Sequence, residues 1–258
     1  MSLEEKISQV LQRFNGQFGI AIQELPTGPI FKINSDSPYR AASVIKLPII
    51  YELLRLFEAG EINLDSIHEI NSNNMMGGMG VISYLNPSLK FTIKDLATLM
   101  MIVSDNSATN EIIDLVSMNG VNSTMNKLGL SHTVLKRKML LQHGSDLPFK
   151  DDNTMSPSDC ITLLRNIYCH SDLSADSCNT ILNIMKDQQI KNKIPRYLSD
   201  DVVSATKSGE LKAVSNDVGI IYHHKDVAIS ILSMGLTHTS FGADAISEIS
   251  NIVANYYF

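Results

Sequence analysis

Short strand-like runs gather at the two ends of this chain, and almost nothing but helical periodicity lies between them. Near the N-terminus, Phe18-Gly19-Ile20-Ala21-Ile22 and Ile30-Phe31-Lys32-Ile33 are parted by Pro26-Thr27-Gly28-Pro29, which reads as a hairpin. Near the C-terminus, residues 202–207, 217–222 and 227–232 read as three more strands, with His223-His224-Lys225-Asp226 turning the last pair. Helical spacing marks residues 4–14 (Ile7, Val10, Leu11, Phe14) and residues 243–256 at the extreme ends. Terminal strands that enclose a helical middle predict a mixed α/β fold. We expect one antiparallel sheet of about five strands, drawn from both termini and flanked by helices, with an all-helical domain inserted. The expected division is residues 1–39 and 188–258 for the sheet domain and residues 40–187 for the helical one.

The helical middle has its own punctuation. Residues 47–58 run amphipathically into Gly60, a C-cap residue. Thr92-x-x-Asp95 has the form of a capping box before Leu96, Leu99, Met100 and Val103. Residues 110–117 follow, then Ser156-Pro157-Ser158-Asp159 opens another helix, and residues 176–186 form one more.

With 258 residues, 44% of them hydrophobic, the chain buries a substantial core as one large domain or two intertwined ones. A net charge of −6, with no Lys/Arg block longer than a few residues, argues against a nucleic-acid partner. No apolar run approaches the roughly 20 residues of a membrane span. Met1-Ser2-Leu3-Glu4-Glu5 leads straight into an amphipathic helix, which leaves the compartment open: extracytoplasmic if a leader has been removed, cytoplasmic otherwise. Cys160, Cys169 and Cys178 are odd in number and lack metal spacing, so free thiols, buried or partly buried, are expected. His223-His224 sits in a turn, where neighbouring side chains diverge, and is not a metal pair. A monomer acting on a small molecule, without metal or cofactor, is the expectation.

Three short motifs carry chemistry. In Ser43-Val44-Ile45-Lys46, at the start of a helix, residues three apart share a face, so Ser43 and Lys46 approach each other. A serine hydroxyl needs a nearby base to become a nucleophile, and a helix start favours developing negative charge. Ser204-Ala205-Thr206-Lys207 has the same spacing, but on a strand those residues face opposite sides, so the spacing alone is weak. Ser104-Asp105-Asn106 breaks two helices. It reads as a cap for the second, or as a proton relay (Ser104) with an amide that holds substrate (Asn106) and a structural Asp105 that bonds local backbone. Lys207-Ser208-Gly209 reads as an ordinary strand end before a hairpin, or as a carboxylate-binding edge where Gly209 permits close backbone approach. Helix start, interhelical break and strand edge occurring in this order favour the acyl-transfer reading of all three.

The set resembles the signature of class A β-lactamases and penicillin-binding proteins, and the resemblance spans nearly the whole chain. Residues 92–116 are similar to that family's helix–Ser-Asp-Asn–helix segment, and Asn216-Asp217-Val218-Gly219-Ile220-Ile221 to its next strand. The resemblance implies a site in the cleft between sheet and helical domain, with Ser43 forming an acyl-enzyme on a β-lactam. Lys46 and Ser104 would be catalytic. Backbone N–H groups of Ser43 and Glu210 would form the oxyanion hole, and Asn106, Lys207, Ser208 and Gly209 would bind substrate.

The departures from that pattern shape the expectation. The loop glutamate that activates the deacylating water has no counterpart: counting from Leu135 places Met139 there, and counting back from Pro157 places Leu140. Gln142, His143 and Asp146 are polar residues nearby, with His143 read as a surface loop residue. Acylation with slow deacylation is therefore expected. The alternatives are a penicillin-binding-protein-like peptidase acting on D-Ala-D-Ala cell-wall peptides, and a non-enzymatic sensor of β-lactam or peptidoglycan. Ser208 stands where threonine is frequent, and Val218 where many relatives have a carboxylate-binding arginine. Carboxylate binding then rests on Lys207 and Ser208, with Lys212 as a further candidate, and weaker affinity for penicillins follows. Gly77-Gly78-Met79-Gly80 is expected at the cleft rim, and Met75, Met76, Met100 and Met101 as core filler.

Overall fold

The computed structural model describes residues 1–139 and 147–257. Leu140, Gln142, His143 and Asp146 thus lie outside the described residues. In chain order the elements are α1 (Leu3–Leu11), β1 (Gln17–Glu24), β2 (Ile30–Ile33), β3 (Tyr39–Arg40), α2 (Lys46–Glu58), β4 (Ile67–His68), β5 (Phe91–Thr92), α3 (Ile93–Ile102), α4 (Asn106–Val116), α5 (Met118–Lys127), β6 (Thr154–Met155), α6 (Pro157–Tyr168), α7 (Ala175–Lys186), β7 (Val203–Leu211), β8 (Val214–Tyr222), β9 (Val227–Met234) and α8 (Thr239–Tyr257).

Five strands form one antiparallel sheet in the order β2-β1-β9-β8-β7, so both termini build it as expected. Two-residue ribbons, β3 with β6 and β4 with β5, are too short for any periodicity to show in the sequence. The sheet separates two apolar cores. On one face Ile20, Ile22, Ile229 and Ile231 pack with Ile7 of α1 and Ile246 and Ile249 of α8. On the other, Ala21, Ala205, Val218 and Ala228 meet the interior shared by α2 to α7. The small residues on this second face let helices come close. A Cβ on Gly19 would lie 2.5 Å from the Tyr39 ring and 2.9 Å from Pro157, the first residue of α6.

Helix starts follow their caps. Ser2, Thr92, Asp105 and Ser156 each accept a backbone N–H of the first turn, and Ser2 and Thr92 complete capping boxes. Gly60, at φ +72, follows the end of α2 in the left-handed conformation that glycine adopts without strain.

Four expectations need correction. Helix α4 begins at Asn106, four residues earlier than the apolar pattern suggested, because the Asp105 cap starts it and its first turns carry Ser107, Thr109 and Asn110. Strand β7 continues to Leu211, so Lys207-Ser208-Gly209 lies within it: Gly209, Glu210 and Leu211 still pair with Asn216, Ser215 and Val214. Ser43 lies in a 3₁₀ turn, Ala42–Ile45, and the α-helix starts only at Lys46. Cys160 and Cys178 are buried free thiols, but Cys169, just past the end of α6, is exposed. No helix among the described residues is long and apolar enough to cross a membrane.

Candidate active site

The 3₁₀ turn brings Ser43 and Lys46 to one side more directly than an α-helix would, since residues i and i+3 eclipse in it. The Lys46 N–H bonds Ser43 O, and Ala42 takes a left-handed φ of 48° to enter the turn. Ser43 is half-buried at the cleft, whereas Lys46 is fully buried beneath it. Lys46 Nζ is hydrogen-bonded with Ser104 O (2.7 Å), Ser104 Oγ (3.0 Å) and Asn106 Oδ1 (3.1 Å); none of these bonds reaches Ser43.

Ser104 is held in a strained backbone, φ 55°, at the corner between α3 and α4. The residue after it secures that corner. Asp105 caps α4 through Ala108 N–H (2.9 Å) and accepts the N–H groups of Val81 (2.6 Å) and Ile82 (2.8 Å). Gly80 lies so close that a Cβ there would collide with the Asp105 carboxylate. The structural role expected for Asp105 is thus visible in its bonds. Asn106 adds to the same seam: its N–H bonds Met79 O (3.0 Å) and its Nδ2 bonds Gly77 O (3.2 Å), which ties the glycine-rich loop to the rim.

From the sheet side, Lys207 Nζ donates to Ser104 Oγ (3.1 Å) and to Ser208 O (2.8 Å). One hydroxyl therefore joins two buried amines. Burial first, and then the nearby Lys207 charge, holds Lys46 well below the usual lysine range. Burial also lowers Lys207 to about 7, against the pull of Asp217. Serine has one proton to give and can accept from Lys207 while donating to the lone pair of a neutral Lys46. The arrangement is a buried line, Lys207–Ser104–Lys46, along which a proton can move.

Strand β7, at the edge of the sheet, meets the 3₁₀ turn at Gly209, where a Cβ would stand 2.8 Å from Ser43 N and 3.0 Å from Val44 N. Any side chain there would push the strand off the backbone of Ser43. The cleft between them measures about 210 Å³ and is lined by Ser43, Met79, Ser104, Ser208, Gly209 and Glu210, with Ile190, Asn192 and Lys193 completing its wall. Ser43, Ser104, Ser208, Gly209 and Glu210, all singled out from sequence, thus line the cleft itself. Lys46, Asn106 and Lys207 meet in the bonds beneath it.

Sequence reasoning missed Lys193. Its ammonium is buried in the cleft wall, 2.8 Å from Glu210 Oε1 and 3.4 Å from Gly209 O. Behind it lies Asp217, fully buried, accepting Ile194 N–H (3.0 Å) and its neighbour Val218 N–H (3.1 Å). Burial raises the Asp217 carboxyl to about 6, while Lys193 and Lys207 pull it down. The run Lys191-Asn192-Lys193 looks like any surface loop, and no local signal in it points to a buried acid so far along the chain. Val218 is part of the core under the sheet, opposite Lys207 in register, and Lys212 is exposed beyond the end of β7, outside the cleft lining.

One turn along α4 from Asn106, Asn110 holds Met139 by its backbone. Met139 N–H donates to Asn110 Oδ1 (2.8 Å), and Asn110 Nδ2 donates to Met139 O (3.1 Å). The Met139 side chain is buried in the larger core.

A five-stranded antiparallel sheet over this helical array, with a buried lysine–serine–lysine line under a half-buried serine, defines a serine hydrolase of the β-lactamase and penicillin-binding-protein kind. The chain belongs to the beta-lactamase enzyme family, whose sequence profile matches residues 2–257. It is 25% identical to beta-lactamase VEB-1 of Pseudomonas aeruginosa over 275 aligned positions, which cover 99% of this chain and 90% of that one. Among solved structures it is similar to a beta-lactamase from Sphaerobacter thermophilus, at 28% identity and TM-score 0.91 over 98% of this chain and 96% of that one. It is also similar to PBP-A, at 25% identity and TM-score 0.89 over 99% and 95% of the two chains.

Proposed function

We propose that this protein forms a covalent acyl-enzyme with β-lactams through Ser43 and releases it slowly. One observation carries the reading: the buried Lys207–Ser104–Lys46 line ends beneath Ser43 in the cleft. Lys46, whose burial favours its neutral form, takes the Ser43 proton as Oγ attacks the lactam carbonyl. The backbone N–H groups of Ser43 and Glu210 receive the developing oxyanion. As the ring C–N bond breaks, the proton passes through Ser104 to the departing nitrogen, and Ser43 carries the ester. Asn106 holds the substrate's amide side chain, and Ser208 with Lys193 holds its carboxylate, with the Lys207 charge behind them.

Hydrolysis of that ester needs a base on a water, typically worth ~10²–10⁴-fold in rate. Met139 and Leu140, the two positions where the resemblance calls for the base, offer none. The same observation favours a second reading, a peptidase acting on D-Ala-D-Ala peptides, for which a long-lived β-lactam adduct is inhibition. A PBP-A mutant in which a leucine is replaced by glutamate forms an acyl-enzyme complex with penicillin G, which supports acylation on this fold.

Stopped flow with a chromogenic cephalosporin, followed by intact-protein mass, tests the proposal. A burst near one equivalent, a slow steady state and an adduct on Ser43 are expected; rapid sustained turnover overturns slow deacylation, and no adduct overturns acylation. Release of D-alanine from an acylated D-Ala-D-Ala peptide decides for the second reading.

A further inference from the structure

The cationic corner of the cleft lining is already occupied by a carboxylate of the protein. Lys207 directs its ammonium to Ser104 Oγ and Ser208 O, away from open space. Of the described residues that line the cleft, Lys193 is the one cation, and its Nζ lies 2.8 Å from Glu210 Oε1. The two partners differ in freedom. The Lys193 side chain is 1% exposed and fixed in the wall, whereas the Glu210 side chain is 49% exposed at the mouth. Glu210 follows Gly209 on the edge strand, so its side chain hangs beside the surface where Ser208 and Gly209 face an incoming ligand.

The charges around this corner reinforce the point. Lys193 faces Glu210 in front, and Asp217 lies behind within the influence of both Lys193 and Lys207, while Ile190, Asn192, Met79, Ser43, Ser104 and Ser208 carry no charge. With Glu210 in place, an anionic ligand meets two acids for two lysines and also the repulsion of a carboxylate at close range. With Glu210 swung into solvent, it meets an exposed ammonium on a low-dielectric wall, where attraction is much stronger than in water.

We infer that the Glu210 side chain is an internal stand-in for the substrate's carboxylate: a donor carrying that group must displace it from Lys193, and the site thereby favours acyl donors whose carboxylate is masked as an ester or amide. The inference rests on the acyl-transfer reading for its substrate class, but the competition for Lys193 is measurable without chemistry.

The test compares benzylpenicillin with its methyl ester. Dissociation constants are measured by calorimetry on the full chain carrying Ser43→Ala, with and without Glu210→Gln, and acylation of the two ligands is followed by mass in proteins that keep Ser43. Glu210→Gln keeps the side chain's size and its place at the surface while removing its charge. The affinity ratio of acid to ester is expected to rise on the order of five- to tenfold, the scale of losing a half-exposed ion pair and a nearby like charge. Adding Lys193→Met should return the ratio toward its starting value. An unchanged or falling ratio overturns the inference, as does an equal gain for both ligands, which would make Glu210 a steric element only. Charge-dependent binding without labelling of Ser43 upholds the stand-in and sinks the acyl-transfer reading; labelling without charge dependence does the reverse.

Discussion

Helix α4 serves two corners, one at the cleft and one against the larger core, in the same way and with opposite chemical content. At its first residues, Asp105 and Asn106 pin the loop of residues 77–82 and place Ser104 between two buried amines. One turn further on, Asn110 pins the backbone of Met139 with the same kind of two-point clamp. The first corner ends in ionisable groups that burial has moved toward neutrality, and the second in a thioether packed into apolar core. Both segments are held by the backbone, so under the proposed mechanism the two corners would differ in side-chain chemistry.

The contrast can be broken at either corner. Ser43→Ala removes the acyl acceptor, and no adduct with a β-lactam should appear by intact mass; a persisting adduct would move the nucleophile elsewhere. Lys46→Met removes the proton acceptor and should slow the acylation burst by ~10²–10⁴-fold in stopped flow; an unchanged burst would assign the base to another group. Met139→Glu supplies a carboxylate at the other corner. Adduct lifetime should shorten by on the order of 10²-fold, at some loss of Tm for burying an acid, and a lifetime that stays the same would detach slow deacylation from this residue.

Two smaller effects sharpen it. Asp217 sits at about 6 when folded, above its ordinary 3.8, so its contribution to stability is complete below 3.8 and is lost as pH rises through 6. Asp217→Asn keeps the neutral form at every pH. The variant's stability relative to the natural chain should therefore grow between pH ~4 and ~6 by about 2–3 kcal/mol and then level, as read from Tm across that range; a flat difference would remove Asp217 from the buried charge network. Asn110→Ala leaves the Met139 N–H and C=O without their partner and should cost about 2 kcal/mol by denaturant unfolding. Its acylation burst should stay, since the first corner is untouched, and a lost burst would show that the corners are coupled.

Much of this was legible in the chain. Alternating apolar runs at the two ends had to pair with each other, because the unpaired N–H and C=O groups of isolated strands are costly to bury. The caps Thr92, Asp105 and Ser156 placed their helices, although polar first turns hid where α4 begins. Ser43, Lys46, Ser104 and Lys207 stood out because each motif joins a reactive group to a backbone context that is readable locally: a helix start, a break, a strand. Local sequence could not show that Lys193 faces Glu210 and Asp217, since those contacts span a loop and two strands.

Residue types and their order therefore determined the fold class, the sheet's membership and the four groups that meet at and beneath the cleft. Tertiary structure alone decided how those groups are charged and which of them a ligand can reach. Charge in a buried site depends on desolvation and on neighbours brought together from distant positions, and neither quantity exists until the sheet and helices have closed around Lys46, Lys207 and Asp217.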